Sequence, residues 1–248
     1  MSGSPYDTEG LPPIRAGLAR RSITPPIPAL MAGFFHEREA RSVRDDLFCN
    51  AAVFESGGRR LVLVNLDLIA VDRSWGDQAR ALIAERLGMP GEAILICATH
   101  THTGPAVRPT TRAEWVNFEW LDALPETIAD TVGEAADGMF DAMLMPGRTY
   151  DDTSVCRIAR LRDGSEHMGA AEGNIGPAGV PDHELLALGI RELDGTARGM
   201  VVCYGMHANV IGGGSADFIS ADWSGEGGPG GAGAGGGRRQ LLGEGRAA

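Results

Sequence analysis

Two apolar runs separated by Ser56-Gly57-Gly58 constrain this chain more than any other feature: residues 47–55 (LFCNAAVFE) and 60–68 (RLVLVNLDL). A Gly-Gly pair between β-branched stretches marks a hairpin, because glycine alone takes the positive φ values of a tight two-residue turn without strain. Residues 72–87 (DRSWGDQARALIAERL) then repeat apolar side chains near helical spacing and meet Gly88, a helix stop. The short aliphatic run 93–98 (AILICA), bounded by Pro90-Gly91 and Gly104-Pro105, reads as a buried strand. The order is β-β-α-β.

Around this unit the pattern stays mixed. Upstream, RAGLARRSITPP gives a short extended segment and a turn at Thr24-Pro25-Pro26. Downstream, residues 117–140 carry Phe118, Leu121, Leu124, Ile128, Val132 and Ala135 at periods of three and four, which predicts one or two helices, with Pro125 as a break or first-turn residue. Residues 149–161, 185–193 and 199–206 read as strands, with turns at Asp163-Gly164 and Asp194-Gly195. The expected fold is α/β, of α+β character: mixed β-sheets flanked by helices in a single domain over residues 14–223. Residues 1–13 read as a flexible lead-in and 224–248 as a disordered Gly-rich tail, too poor in apolar side chains to offset its ordering entropy. The GAGAGG inside that tail follows no strand, so a dinucleotide-binding loop is rejected.

Charge narrows the function. A net charge of -11 argues against a phosphate-tracking surface, so nucleic acid is not an expected partner. No stretch reaches the length of a transmembrane span and the N-terminus lacks a signal-peptide pattern, so the expectation is a cytoplasmic protein. Cys49, Cys97, Cys156 and Cys203 have no CxxC spacing and are read as small buried hydrophobes.

The chemistry gathers at strand ends. His100 and His102 follow the 93–98 run in THTHTGP; if the backbone stays extended, residues two apart face one side. His207 repeats the arrangement in GMVVCYGMHANVIGGG, a strand that ends in a histidine and a Gly-rich loop. Two such strands can bring His100 and His207 to one metal, and neutral imidazoles suit zinc with an open position for water. The continuation Thr103-Gly104-Pro105 excludes the H-x-H-x-D-H binuclear pattern, and a barrel amidohydrolase would need a repeating β/α array that is absent.

These segments together, GLARRSITPP, LVLVNLDLI, ICATHTHTGP, SVCRIARLRDG, VPDHELLALGIRELDG, VVCYGMHANV and ISADWSG, resemble the N-terminal catalytic region of the neutral/alkaline non-lysosomal ceramidase family over about residues 14–226. The resemblance implies a zinc-dependent amidase that cleaves the N-acyl bond of ceramide or a similar lipid amide, a small-molecule lipid substrate with transient contact at a membrane surface. It makes His100 and His207 zinc ligands, places His102 beside the metal, and gives Arg157 a substrate-binding role with Arg160 as fallback; Cys156 stands where the family usually has Asn. Asp67 and Asp222 are candidates to orient a zinc-bound histidine. Trp115, Phe118 and Trp120 line an acyl entry or sit in the core. The family's further ligands, a glutamate and a tyrosine, lie downstream of the SAD segment, so the resemblance also implies an incomplete version of the catalytic domain. Two alternatives stand beside this reading, a truncated or frameshifted fragment without activity and another metal-dependent amidohydrolase.

Overall fold

The computed structural model describes residues 12–108, 117–169, 171–225 and, for the backbone alone, 239–244. The N-terminal part holds β1 (Ile14–Ser22), β2 (Ala29–Met31), β3 (Arg38–Ala40), β4 (Ser42–Val43), β5 (Phe48–Ser56), β6 (Arg59–Leu66), α1 (Arg73–Leu87) and β7 (Ile94–Ala98). Next come α2 (Phe118–Asp137), β8 (Phe140–Tyr150), the small strands β9 (Ile158–Leu161), β10 (Glu166–Met168) and β11 (Asn174–Pro177), then β12 (Glu184–Glu192), β13 (Ala197–Tyr204), β14 (Phe218–Ile219) and β15 (Arg239–Glu244). The main sheet runs β15-β13-β12-β8-β1-β5-β6-β7, antiparallel except for the parallel pairs β6/β7 and β13/β15. This is the mixed α/β single domain expected. Within the tail read as disordered, residues 239–244 form β15.

The sheet divides at a narrow seam. β1 pairs along its whole length with β5, from Ile14 opposite Ser56 to Ser22 opposite Phe48, but only Ile14–Ala16 pair with β8. A twisted sheet this wide curls, and the three-residue seam lets its two halves turn toward each other. α1 and α2 cover the outer face of the β1/β5/β6/β7 half, where Ala51, Val53, Val62 and Val64 pack against Ile83, Leu124, Ile128 and Val132. A smaller cluster of Ala16, Ala142 and Ile190 fills the seam.

Local chemistry explains the elements. Gly57 and Gly58 take φ 56 and 73, the double positive of a type I′ hairpin turn. Asp72 caps α1 by accepting from Ser74 N at 3.0 Å, and Gly88 at φ 60 ends it. Arg86 on α1 bridges to Glu126 and Asp130 on α2, tying the two helices together.

Two expectations change. α2 is a single helix that runs through Pro125, capped by Asn117, whose side chain accepts from Trp120 N. An interior proline costs about 3 kcal/mol; burial of Leu121, Leu124, Ile128 and Val132 offsets it. Residues 149–161 are not one strand: β8 stops at Tyr150, a loop intervenes, and β9 starts at Ile158. β8 hides its strand character behind Pro146-Gly147. Beyond Ala142 its one partner strand among the described residues is β12, on a single edge, and proline is tolerated where the other edge carries no ladder. No helix among the described residues is long and apolar enough to cross a membrane. All four cysteines are free, and burial pushes the Cys49 thiol up to about 12 and Cys97 to about 11.

Candidate metal centre

The segment Thr99-His100-Thr101-His102-Thr103 alternates: all three threonines are buried, and the two histidines between them are half-buried. The extended backbone expected through both histidines is corrected here. β7 ends at Ala98, and His100 sits at φ 62, a left-handed conformation uncommon for a side-chain-bearing residue. Threonine anchors keep the period of two instead. Thr101 Oγ1 and Thr103 Oγ1 both donate to the Ser220 carbonyl, at 2.8 and 2.9 Å, and Ser220 N donates to the Thr103 carbonyl at 3.0 Å. With the hydroxyls turned inward, the imidazoles turn out together.

His207 arrives from the other half of the sheet, just beyond β13. Its loop joins the first segment through His102 N, which donates to the Ala208 carbonyl at 2.9 Å. Buried Asp222, at φ 61, fixes that loop by accepting from Val210 N at 2.9 Å, Ile211 N at 3.1 Å and Trp223 N at 2.8 Å. Asp45 holds the same region by accepting from Ser220 Oγ and Ala221 N.

The three rings form a triangle with centroids 4.3 to 5.0 Å apart. Each offers one nitrogen, and the three nitrogens lie within 4.8 Å of one another. His100 Nδ1 donates to the Ile69 carbonyl at 2.7 Å, which makes Nε2 the unprotonated nitrogen, an acceptor 3.3 Å from His102 Nε2. His207 Nε2 is buried without a hydrogen-bond partner. A polar atom orphaned inside a protein costs roughly 1–3 kcal/mol, and a divalent ion held in this cluster would satisfy it. The donor set fits a metal such as zinc.

Electrostatics keeps the cluster ready for a cation. Burial pushes His102 down to about 4, helped by His100 and the charges of Arg157 and Arg38. Burial also pushes His207 down to about 4, with Arg157 and the other two rings adding to it. Both imidazoles are therefore neutral at neutral pH, the form that ligates metals. His100 and His102 open into a cavity of about 700 Å³ walled by Phe34, Phe35, Ile69 and Val107. A neighbouring hollow of about 810 Å³ contains none of the three histidines but includes Arg157, Val155, Ile158 and Met168.

The structure thus gathers His100, His102 and His207, with the exposed Arg157 near enough for its charge to act on two of them. It does not gather the rest. Arg160 sits away on β9, bonded to Glu166 and the Ala178 carbonyl. The Asp67 carboxylate accepts from Phe48 N at 2.9 Å, and the Ile69 carbonyl takes the orienting role on His100. Asp222 holds the backbone beyond His207, not its ring. Trp120 packs against the main core and donates Nε1 to the Ile23 carbonyl. Phe118 lies exposed at the start of α2, and Trp115 is outside the described residues.

Sequence reasoning missed Arg38, Phe34 and Phe35. Phe35 stands wholly exposed at the cavity, in a short loop whose composition carries no signal. The buried threonines of the T-H-T-H-T run were missed too, because the run was read for its histidines alone.

No family model matches the chain, and no curated protein matches it. Solved structures do, two ceramidases among them. Neutral ceramidase from Pseudomonas aeruginosa aligns at TM-score 0.73 and 20% identity, covering 94% of this chain and 38% of its own. A ceramidase complexed with C2 aligns at TM-score 0.71 and 20% identity, with the same shares. The chain spans about 38% of the length of these neighbours. Over nearly all its length, this chain has a neutral-ceramidase-like fold.

Proposed function

We propose that the chain carries the histidine cluster of a zinc-dependent amidase that hydrolyses the N-acyl bond of ceramide or a similar lipid amide. One observation carries the reading: three imidazoles remote in sequence converge with an orphaned nitrogen among them, inside a fold shared with neutral ceramidase.

His100 and His207 would hold the ion. When bound, zinc supplies Lewis acidity and makes a water molecule acidic enough to ionise near neutral pH. His102, neutral and beside them, hydrogen-bonds the substrate or moves a proton at Nε2. The fixed charge of Arg157 stabilises the amide oxygen as negative charge builds on it. The apolar walls formed by Phe34, Phe35 and Ile69 take the hydrocarbon chain. The substrate comes from a membrane surface, and the protein works in the cytoplasm.

Zinc content per chain, measured beside hydrolysis of a fluorescent N-acyl lipid with and without chelator, tests the reading. One zinc per chain and slow, chelator-sensitive turnover are expected; a chain that takes up no zinc overturns it. The histidine donor set includes no carboxylate among the described residues, which favours a second reading, a metal-binding chain without turnover. Stoichiometric zinc with no hydrolysis selects that one.

A further inference from the structure

Arg38 opens β3 and is buried. Such a charge is expensive to bury, and arginine inside a protein normally pairs with a carboxylate. Arg38 instead donates to three main-chain carbonyls: Ala32 at 2.6 Å, His102 at 2.5 Å and Gly213 at 3.1 Å. Its guanidinium also lies 4.2 Å from the centre of the Phe34 ring. Burial lowers its pKa, which is the mark of a group held against its solvation preference.

The three acceptors belong to three different segments. Ala32 starts the Gly33–Phe35 wall of the cavity, His102 is in the threonine-histidine segment, and Gly213 is in the loop that follows His207. Neighbouring bonds reinforce the junction: Ala32 N donates to the Gly104 carbonyl at 3.0 Å, and His36 Nε2 meets the Gly214 carbonyl at 2.8 Å. A planar fork that satisfies several carbonyls at once is something arginine does and lysine does not.

We propose that Arg38 is a positioning residue for the histidine cluster: it locks the His102 main chain to the His207 loop, so that the imidazoles face one another before any ion arrives. This rests on the metal-binding reading above. Groups that orient metal ligands typically change affinity ten- to a hundredfold when removed.

The test uses the full chain and three variants. Arg38→Met removes the fork, Arg38→Lys keeps the charge with fewer donors, and Arg86→Met, on the helix ion pair, is a control far from the site. Zinc affinity is measured by competition with a chromophoric chelator. Imidazole resonances of the metal-free protein are recorded by nitrogen-15 NMR, and thermal melting reports folding. Arg38→Met is expected to weaken zinc ten- to a hundredfold and to broaden or shift the His102 and His207 resonances, with Arg38→Lys intermediate and Arg86→Met unchanged in both. If Arg38→Met does not fold, Arg38→Lys carries the comparison. Wild-type zinc affinity and unaltered imidazole spectra in the Arg38 variants overturn the proposal. A wild-type chain that binds no zinc, yet whose imidazole spectra respond to Arg38→Met, removes the metal reading and leaves the positioning role standing.

Discussion

Gly33 lies against the His102 ring. Its φ is +98, and a Cβ added there would sit 2.7 Å from Nδ1 and 2.8 Å from Cγ. Gly33→Ala therefore has to displace the imidazole as well as accept a left-handed backbone. We expect it to weaken zinc binding at least about tenfold and to cost at least about 1 kcal/mol in urea unfolding; unchanged zinc affinity would show that the ring has room. Asp67 makes a prediction about pH. Burial pushes its carboxyl up to about 7 from an ordinary 3.8, against the opposing bond from Phe48 N. Between those values the folded chain holds a proton that the unfolded chain has released. Its contribution to stability is therefore present below that window and is lost as pH rises through it. Unfolding midpoints of the wild type should fall relative to Asp67→Asn from about pH 4 to about pH 7, and parallel profiles would refute the assignment.

At the level of elements, α1 separates stability from site chemistry. Removal of its cap by Asp72→Ala should cost about 1 kcal/mol while leaving zinc affinity within error, because the Asp72 carboxylate holds the helix start. The hairpin, α1 and β7 were legible in the sequence because each carries its own punctuation: Gly57-Gly58, Asp72 with Gly88, and Pro90-Gly91. β8 was not, since what keeps it extended is its pairing with β12 across the sheet. In α2 the periodicity allowed one helix or two, and only the place of Pro125 was misread, because packing overrode its local penalty. In the site, His100, His102 and His207 stood out by their placement after apolar runs. Their meeting depended on a sheet that curls at a three-residue seam, and nothing local encodes that. Arg38 was invisible for a related reason: its three carbonyl acceptors are main-chain atoms, which leave no mark on side-chain identity.

For the whole molecule, an ion that binds the folded chain alone must raise its melting temperature. Saturating zinc, at about a hundred times its dissociation constant, should add about 2.7 kcal/mol, and chelator should reverse the gain; a melting curve indifferent to zinc would contradict the metal centre. The seam between the sheet halves gives this gain a further meaning. His100 follows β7 in one half and His207 follows β13 in the other, so an ion between them would bridge the two halves that the three-residue β1/β8 pairing joins. Because the ion binds the folded chain alone, an opening that parts the two histidines must first release it, and the same binding free energy opposes that opening. Hydrogen exchange should therefore slow on both sides of the seam when the ion binds, in β1 and β8 as much as beside the histidines.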